Sequence, residues 1–211
     1  MGIDHNLIKN AKKPKGELGD QLLERMNKSH EEMAQWVCSH FDINDKDFIL
    51  DIGCGGGVNV KRFANIISDE GKVVGLDYSD VSVDKSTKLN EEFINQGKVE
   101  IIEGSVSEMD FEDETFDIVT GFETIYFWPD FTNDLKEVCR VLKKDGLLCF
   151  GNESRYEEGN MDKYDELIEL LDMKIYKDEE LEKSLKNAGF KNIELIKNPD
   201  NSWICIKAIK S

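Results

Sequence analysis

The chain has 211 residues, 39% hydrophobic and 34% charged, which suits one soluble globular domain with a normal core. Its formal net charge of −17 repels phosphate backbones and acidic membrane surfaces, so nucleic acid is not the expected partner. Nothing approaches the roughly 18 consecutive apolar residues of a spanning helix, and no apolar stretch follows the basic N-terminus. Membrane insertion and secretion are therefore not expected, and a cytoplasmic location is.

Residues 1–16 read as loosely attached, and the basic cluster at 9–15 (KNAKKPK) reads as a solvated tail. Residues 19–27 suit a short helical segment. Ser29-His-Glu-Glu32 fits a capping box, predicting a helix over about 30–40. Residues 1–44 thus form an expected helical cap, and 45–211 one α/β unit.

Phe48–Ile52 is a short apolar run ending in glycines and reads as a buried strand. A helix over Asn59–Ser68 follows, then a strand at Lys72–Asp77, a helix at Val81–Asn95 and a strand at Val99–Glu103. Phe116–Gly121 is the fourth strand, Phe131–Leu142 a helix and Leu147–Gly151 the fifth strand. Helices at Tyr164–Met173 and Asp178–Ala188 precede two strands, Asn192–Lys197 and Trp203–Ile209. Only a turn separates those two, so they must pair antiparallel, because a parallel crossover needs a dozen or more residues. The expected fold is a Rossmann-like three-layer α/β sandwich with a mostly parallel seven-stranded sheet and an antiparallel C-terminal hairpin.

The five cysteines (38, 54, 139, 149 and 205) are scattered without a C-x-x-C pair, which argues against a disulfide framework and a zinc site. The three histidines show no ligand spacing, so no metal is expected.

The informative segment is Asp51-Ile-Gly53-Cys-Gly55-Gly-Gly57, at a strand-to-helix turn where glycine lets a ligand approach the backbone. Asp77 ends the next strand, where a β–α–β unit presents a carboxylate to ribose hydroxyls. No Gly-Lys is followed by Ser or Thr, which excludes a P-loop. The G-x-G-x-x-G fingerprint fails in both frames, at Val58 and at Val60. A carboxylate ahead of the glycines would repel a pyrophosphate and suits a cationic ligand, such as a sulfonium cofactor with an amino-acid tail.

FILDIGCGGG, VVGLDYS, EGSVSEMDFEDETFDIV and LKEVCRVLKKDGLLCF, in that order, resemble the class I S-adenosylmethionine (SAM)-dependent methyltransferases. The likeness is to their small-molecule type, which includes quinone-biosynthesis methyltransferases, and covers about residues 45–151. Residues 178–190 resemble that family's late helix. The resemblance implies SAM as cofactor and S-adenosylhomocysteine (SAH) as product. It places Asp51, Gly53, Cys54 and Gly55 at the methionine part, Asp77 on the ribose and Tyr78 beside adenine. Val106 would offer its amide to an adenine nitrogen, with Phe122 also in contact. Ser105 stands where the family often has an aspartate for the adenine amino group. Cys54 also reads simply as a small residue tolerated in a crowded turn.

Ligands of open α/β sheets bind beyond the carboxyl ends of the strands. That places Glu123, Tyr126 and Trp128, with Glu153 and Tyr156 opposite, around the expected acceptor pocket. The same aromatic residues also read as packing beneath a lid. Glu123, Tyr126 and His30 are the candidate catalytic groups, and His30 reads more readily as a solvated or capping-helix histidine than as a base. The expected activity is in-line methyl transfer to a small-molecule acceptor, by a monomer or homodimer. The alternatives are a SAM- or SAH-binding module without catalysis and, disfavoured by the failed fingerprint, a nicotinamide-dependent oxidoreductase.

Overall fold

The computed structural model describes residues 8–211; residues 1–7, part of the stretch read as loosely attached, lie outside the described residues. Helices α1 (Gly16–Ser29) and α2 (Glu31–Cys38) precede the sheet. Then follow β1 (Phe48–Ile52), α3 (Val58–Ala64), β2 (Lys72–Asp77), α4 (Asp80–Leu89), α5 (Glu91–Asn95) and β3 (Val99–Glu103). The second half holds β4 (Phe116–Phe122), α6 (Phe131–Val141), β5 (Leu142–Asn152), α7 (Asp165–Leu171), α8 (Asp178–Ala188), β6 (Phe190–Lys197) and β7 (Ile204–Lys210).

The seven strands run in the order β3-β2-β1-β4-β5-β7-β6. The first five are parallel, and β7 joins β5 and β6 antiparallel, as the short link between the last strands requires. Central strands are apolar on both faces because helices cover both. Leu50, Val119, Leu148 and Phe150 meet α6 and α8, whereas Ile49, Val73 and Ile118 meet α3. The edge strand β3 keeps several residues half-buried or exposed. From β1 the chain winds outward to β3, then returns to place β4 on the other side of β1. This reversal opens a crevice at the carboxyl ends of β1 and β4.

Several boundaries differ from the sequence reading for identifiable reasons. The predicted helix 81–95 breaks at the buried Asn90, whose amide donates to the carbonyls of Gly57 (3.1 Å) and Ser86 (2.9 Å). The capping box does not form. Because α1 runs through Ser29, that hydroxyl donates back to the Met26 carbonyl at 3.3 Å and does not cap α2.

The basic cluster is not a solvated tail. The Ser79 hydroxyl donates to the Pro14 carbonyl at 2.7 Å, and the Tyr78 hydroxyl donates to the Lys12 carbonyl. Lys12 pairs with Asp172 at 3.0 Å, and Lys85 pairs with Asp20 of α1 at 2.7 Å. Gly19 allows the turn into α1, since a Cβ there would lie 2.8 Å from the Pro14 carbonyl carbon. Residues 8–15 thus form a strap over the crevice.

Candidate functional site

Three glycines of the turn have positive φ: Gly53 (68°), Gly55 (51°) and Gly57 (79°). The amides of Gly53 and Cys54 donate to the Leu76 carbonyl at 2.7 and 3.1 Å, folding the turn onto the end of β2. Asp77 locks this arrangement. Its Oδ2 accepts from the Gly55 amide and its Oδ1 from the Ser79 amide, each at 2.9 Å. Burial raises the Asp77 pKa, and these amide bonds partly oppose the rise. Each carboxylate oxygen retains a second lone pair for a hydroxyl donor.

Two adjoining cavities of ≈ 230 Å³ and ≈ 70 Å³ lie along the strand ends. They share Leu23, Met26, Gly53, Gly55, Phe122 and Glu123 as walls. The larger also meets Asp77, Tyr78, Ser105, Val106 and Trp128, and the smaller meets His30, Asp51 and Cys54. The fold thus collects all nine expected cofactor residues around one cleft. Lys12 and Pro14 of the strap complete the wall of the larger cavity. Nothing in the sequence signals the strap, whereas Leu23 and Met26 of α1 belong to the N-terminal segment expected to cap the site.

Asp51 is buried at the end of β1, and its Oδ1 accepts from the Thr120 hydroxyl at 2.8 Å. Burial pushes its carboxyl up to about 7, against the lowering effect of that bond. The Cys54 thiol packs 3.9 Å from the Ser86 hydroxyl, and burial raises its pKa well above the usual thiol value. It lacks the electropositive, partly exposed setting of a reactive cysteine. Tyr78 carries the Lys13 ammonium 5.1 Å from its ring centre. The exposed Ser105 hydroxyl accepts from the Ser107 amide at 3.2 Å, so it is partly engaged in its own turn.

The expected acceptor residues divide. Trp128 lines the larger cavity but also belongs to the core, with its indole N–H donating to Thr124 Oγ1 at 3.1 Å and its ring set edge-on to Phe150. Tyr126 and Tyr156 line neither cavity, contrary to expectation. The segment 161–175 docks over them, and both pack with Tyr164, Leu171 and Ile175. The Tyr126 hydroxyl accepts from the Ser154 amide at 2.9 Å and lies 3.3 Å from Glu123 Oε1, so it braces Glu123 from behind.

Glu123 sits one residue past β4 with a φ of 58°. Its Oε1 accepts from the Glu153 amide, and burial pushes its carboxyl up to about 7. The residue is half-buried and lines both cavities. His30, at the α1–α2 junction, places Nδ1 3.1 Å from Glu153 Oε1. Burial lowers the His30 pKa, but Glu153 and Glu123 outweigh it and raise the net value. The ligand atoms of His30, Glu123 and Glu153 all lie within 4.8 Å of one another.

Comparison with known proteins points to methyltransferases. The family described as "Methyltransferase domain" matches residues 50–150. A sterol 24-C-methyltransferase of Clavispora lusitaniae is 32% identical over 170 residues, 74% of this chain and 43% of its own length. A demethylmenaquinone methyltransferase of Bacillus cereus is 36% identical over 109 residues, 51% of this chain and 46% of its own. The chain spans less than half the length of these curated relatives.

Among solved structures, an Aquifex aeolicus SAM-dependent methyltransferase superposes with a TM-score of 0.71 at 17% identity, covering 100% of both chains. Phosphoethanolamine N-methyltransferase 2 of Haemonchus contortus, in complex with SAM, gives a TM-score of 0.81 at 14% identity. That match covers 99% of this chain and 60% of the other. The two superpositions show a shared fold. The chain belongs to the class I SAM-dependent methyltransferases, with its methyltransferase domain at residues 50–150. No helix among the described residues is long and apolar enough to cross a membrane.

Proposed function

We propose that this chain binds SAM in the cleft and transfers its methyl group to a small-molecule acceptor. The observation that carries the reading is Asp77, buried at the end of β2 and bonded to the Gly55 amide in the floor of the larger cavity. The donor set fits the cofactor: a carboxylate for the ribose, apolar walls for the adenine and a carboxylate-flanked glycine turn for the cationic end. Tyr78, Val106 and Phe122 flank the adenosine part, while Asp51, Gly53 and Gly55 hold the methionine part. SAM supplies an electrophilic methyl group on a sulfonium.

The protein's contribution is alignment and exclusion of water. The strap and α1 act as the cap expected of residues 1–44, and the rest of the chain is the catalytic unit. Glu123 and His30 border the acceptor end of the cleft. The names of the curated relatives point to a sterol and to demethylmenaquinone, which favours a small organic acceptor.

The test is a thermal-shift titration with SAM, SAH and NAD, followed by an acceptor screen on amines, thiols, phenols and quinols. Stabilisation by SAM and SAH with turnover on one class is expected. Stabilisation by NAD alone would overturn the reading, and tight SAH binding without turnover anywhere would leave a non-catalytic binding module.

Asp51 adds a pH signature. Its folded pKa of about 7 lies above the ordinary 3.8, so the folded state holds the proton longer. The stability this group contributes is present below pH 3.8 and is lost as pH rises through about 7. Cofactor binding runs the other way, because a sulfonium favours the carboxylate. SAM affinity is expected to rise about tenfold between pH 6 and 8. The rise should be smaller for SAH, which lacks the sulfonium charge, and flat in Asp51→Asn. Calorimetric titrations across that range check it, and an equal slope in the variant would assign the effect elsewhere.

A further inference from the structure

We infer that His30, Glu123 and Glu153 form a binding site for one divalent transition-metal ion at the acceptor end of the cleft. The three residues come from three separate segments. Phe122 pairs with Gly151 across the parallel strands β4 and β5, so Glu123 and Glu153 leave the sheet side by side. The α1–α2 junction then brings His30 against both.

The direction of the His30–Glu153 contact separates this reading from a histidine–carboxylate base. The 3.1 Å separation would suit a hydrogen bond, yet Nδ1 is buried without a hydrogen-bond partner among the described residues. The two atoms are close but do not point along a shared N–H···O line. Two ligands of one ion have that relation. Bonds of about 2.0–2.2 Å at tetrahedral or octahedral angles hold neighbouring ligand atoms roughly 3.0–3.5 Å apart.

The surroundings of Glu123 hold its carboxylate in place. A non-glycine residue in the left-handed region carries backbone strain that its surroundings must sustain. Here the Glu123 amide donates to the Gly151 carbonyl at 2.9 Å, while the Glu153 amide and Tyr126 hydroxyl fix Oε1. This scaffold orients one carboxylate toward His30 and Glu153. One imidazole with two carboxylates suits zinc, manganese or ferrous iron better than copper(I), which prefers sulfur, or calcium, which takes six or more oxygens. His30 and Glu123 both line the smaller cavity, so three protein donors leave coordination positions open to the cleft. An oxygen or sulfur atom of a bound molecule could occupy them. The site stands independently of the methyl-transfer reading, since it is defined by metal binding alone.

The experiment uses the full chain, stripped with EDTA and titrated with Zn²⁺ and with Co²⁺. Calorimetry and elemental analysis after dialysis give stoichiometry, and the Co²⁺ visible spectrum gives the donor type. One ion per chain is expected, with low-micromolar or tighter affinity and a nitrogen–oxygen spectrum. His30→Ala and Glu153→Gln should each weaken binding at least about 100-fold, while His40→Ala leaves it unchanged. Thermal melting and far-ultraviolet circular dichroism report whether each variant remains folded, and the half-exposed Glu153 position keeps the test open if His30→Ala does not fold. Absence of stoichiometric binding, binding retained in both ligand variants, or a Co²⁺ spectrum with thiolate charge transfer would each overturn the proposal.

Discussion

Asp77→Ala is expected to lower SAH affinity by about 100-fold or more. On the proposed reading Asp77 accepts from both ribose hydroxyls; two hydrogen bonds to a charged acceptor are worth about 1.5–3 kcal/mol each, and the substitution removes both. It also leaves the Gly55 and Ser79 amides without their carboxylate partner, so the glycine turn loses its tie to β2. The loosened turn adds to the binding loss. Asp77→Asn separates the two effects. The side-chain carbonyl can replace one amide bond, so folding should recover while ribose recognition does not. Calorimetric SAH titration, paired with thermal melting of both variants, measures this. An affinity within threefold of the parent would remove Asp77 as the ribose anchor.

Gly57→Ala is expected to be the most damaging single methyl group in the turn, at roughly 2–5 kcal/mol of folding stability. The left-handed backbone contributes about 1–2 kcal/mol, and forcing a methyl into a filled space about 1–3 kcal/mol. Its φ is 79°, and a Cβ would lie 2.3 Å from the Ser86 hydroxyl and 2.9 Å from the Ser86 Cα. The second contact is with helix backbone and cannot be relieved by a rotamer change. Gly57 also ends its turn by accepting from the Asn90 amide at 3.1 Å, so α3 and the α4–α5 break would shift together. Gly97→Ala is the comparison. It has a φ of 77° in open space, so it should lose only the left-handed share. Urea denaturation of both gives the difference. Equal losses would mean that crowding at Gly57 contributes nothing.

The parts legible in the sequence are those whose cause is local. β1 and β2 begin and end where apolar runs meet turns, because both faces of a central parallel strand must be apolar. The glycine turn and Asp77 were legible for a related reason. The turn and its carboxylate belong to one β–α–β unit, where topology fixes their proximity. Illegible features depend on docking between distant segments. KNAKKPK looks like a solvated run until Ser79 and Tyr78 claim its backbone carbonyls. Tyr126 and Tyr156 lie near the right strand ends, but the segment 161–175 covers them, and nothing in its helical pattern states which surface it meets. His30 has no histidine partner in sequence. Its neighbours Glu123 and Glu153 reach it only because β4 and β5 are adjacent and α1 lies across their ends.

The strap has a kinetic consequence. Lys12 and Pro14 are both part of the wall around the larger cavity and the acceptors of bonds from Tyr78 and Ser79 just beyond β2. A molecule seated beneath them cannot depart along that side while those bonds hold. The strap is also fastened at its far end by the Lys12–Asp172 pair, in which the aspartate is almost fully exposed, and α1 by the Lys85–Asp20 pair. Exposed pairs weaken as ionic strength rises. Release of a molecule from this cleft is therefore expected to quicken as ionic strength rises, through the amino-terminal clasp and not through the glycine turn.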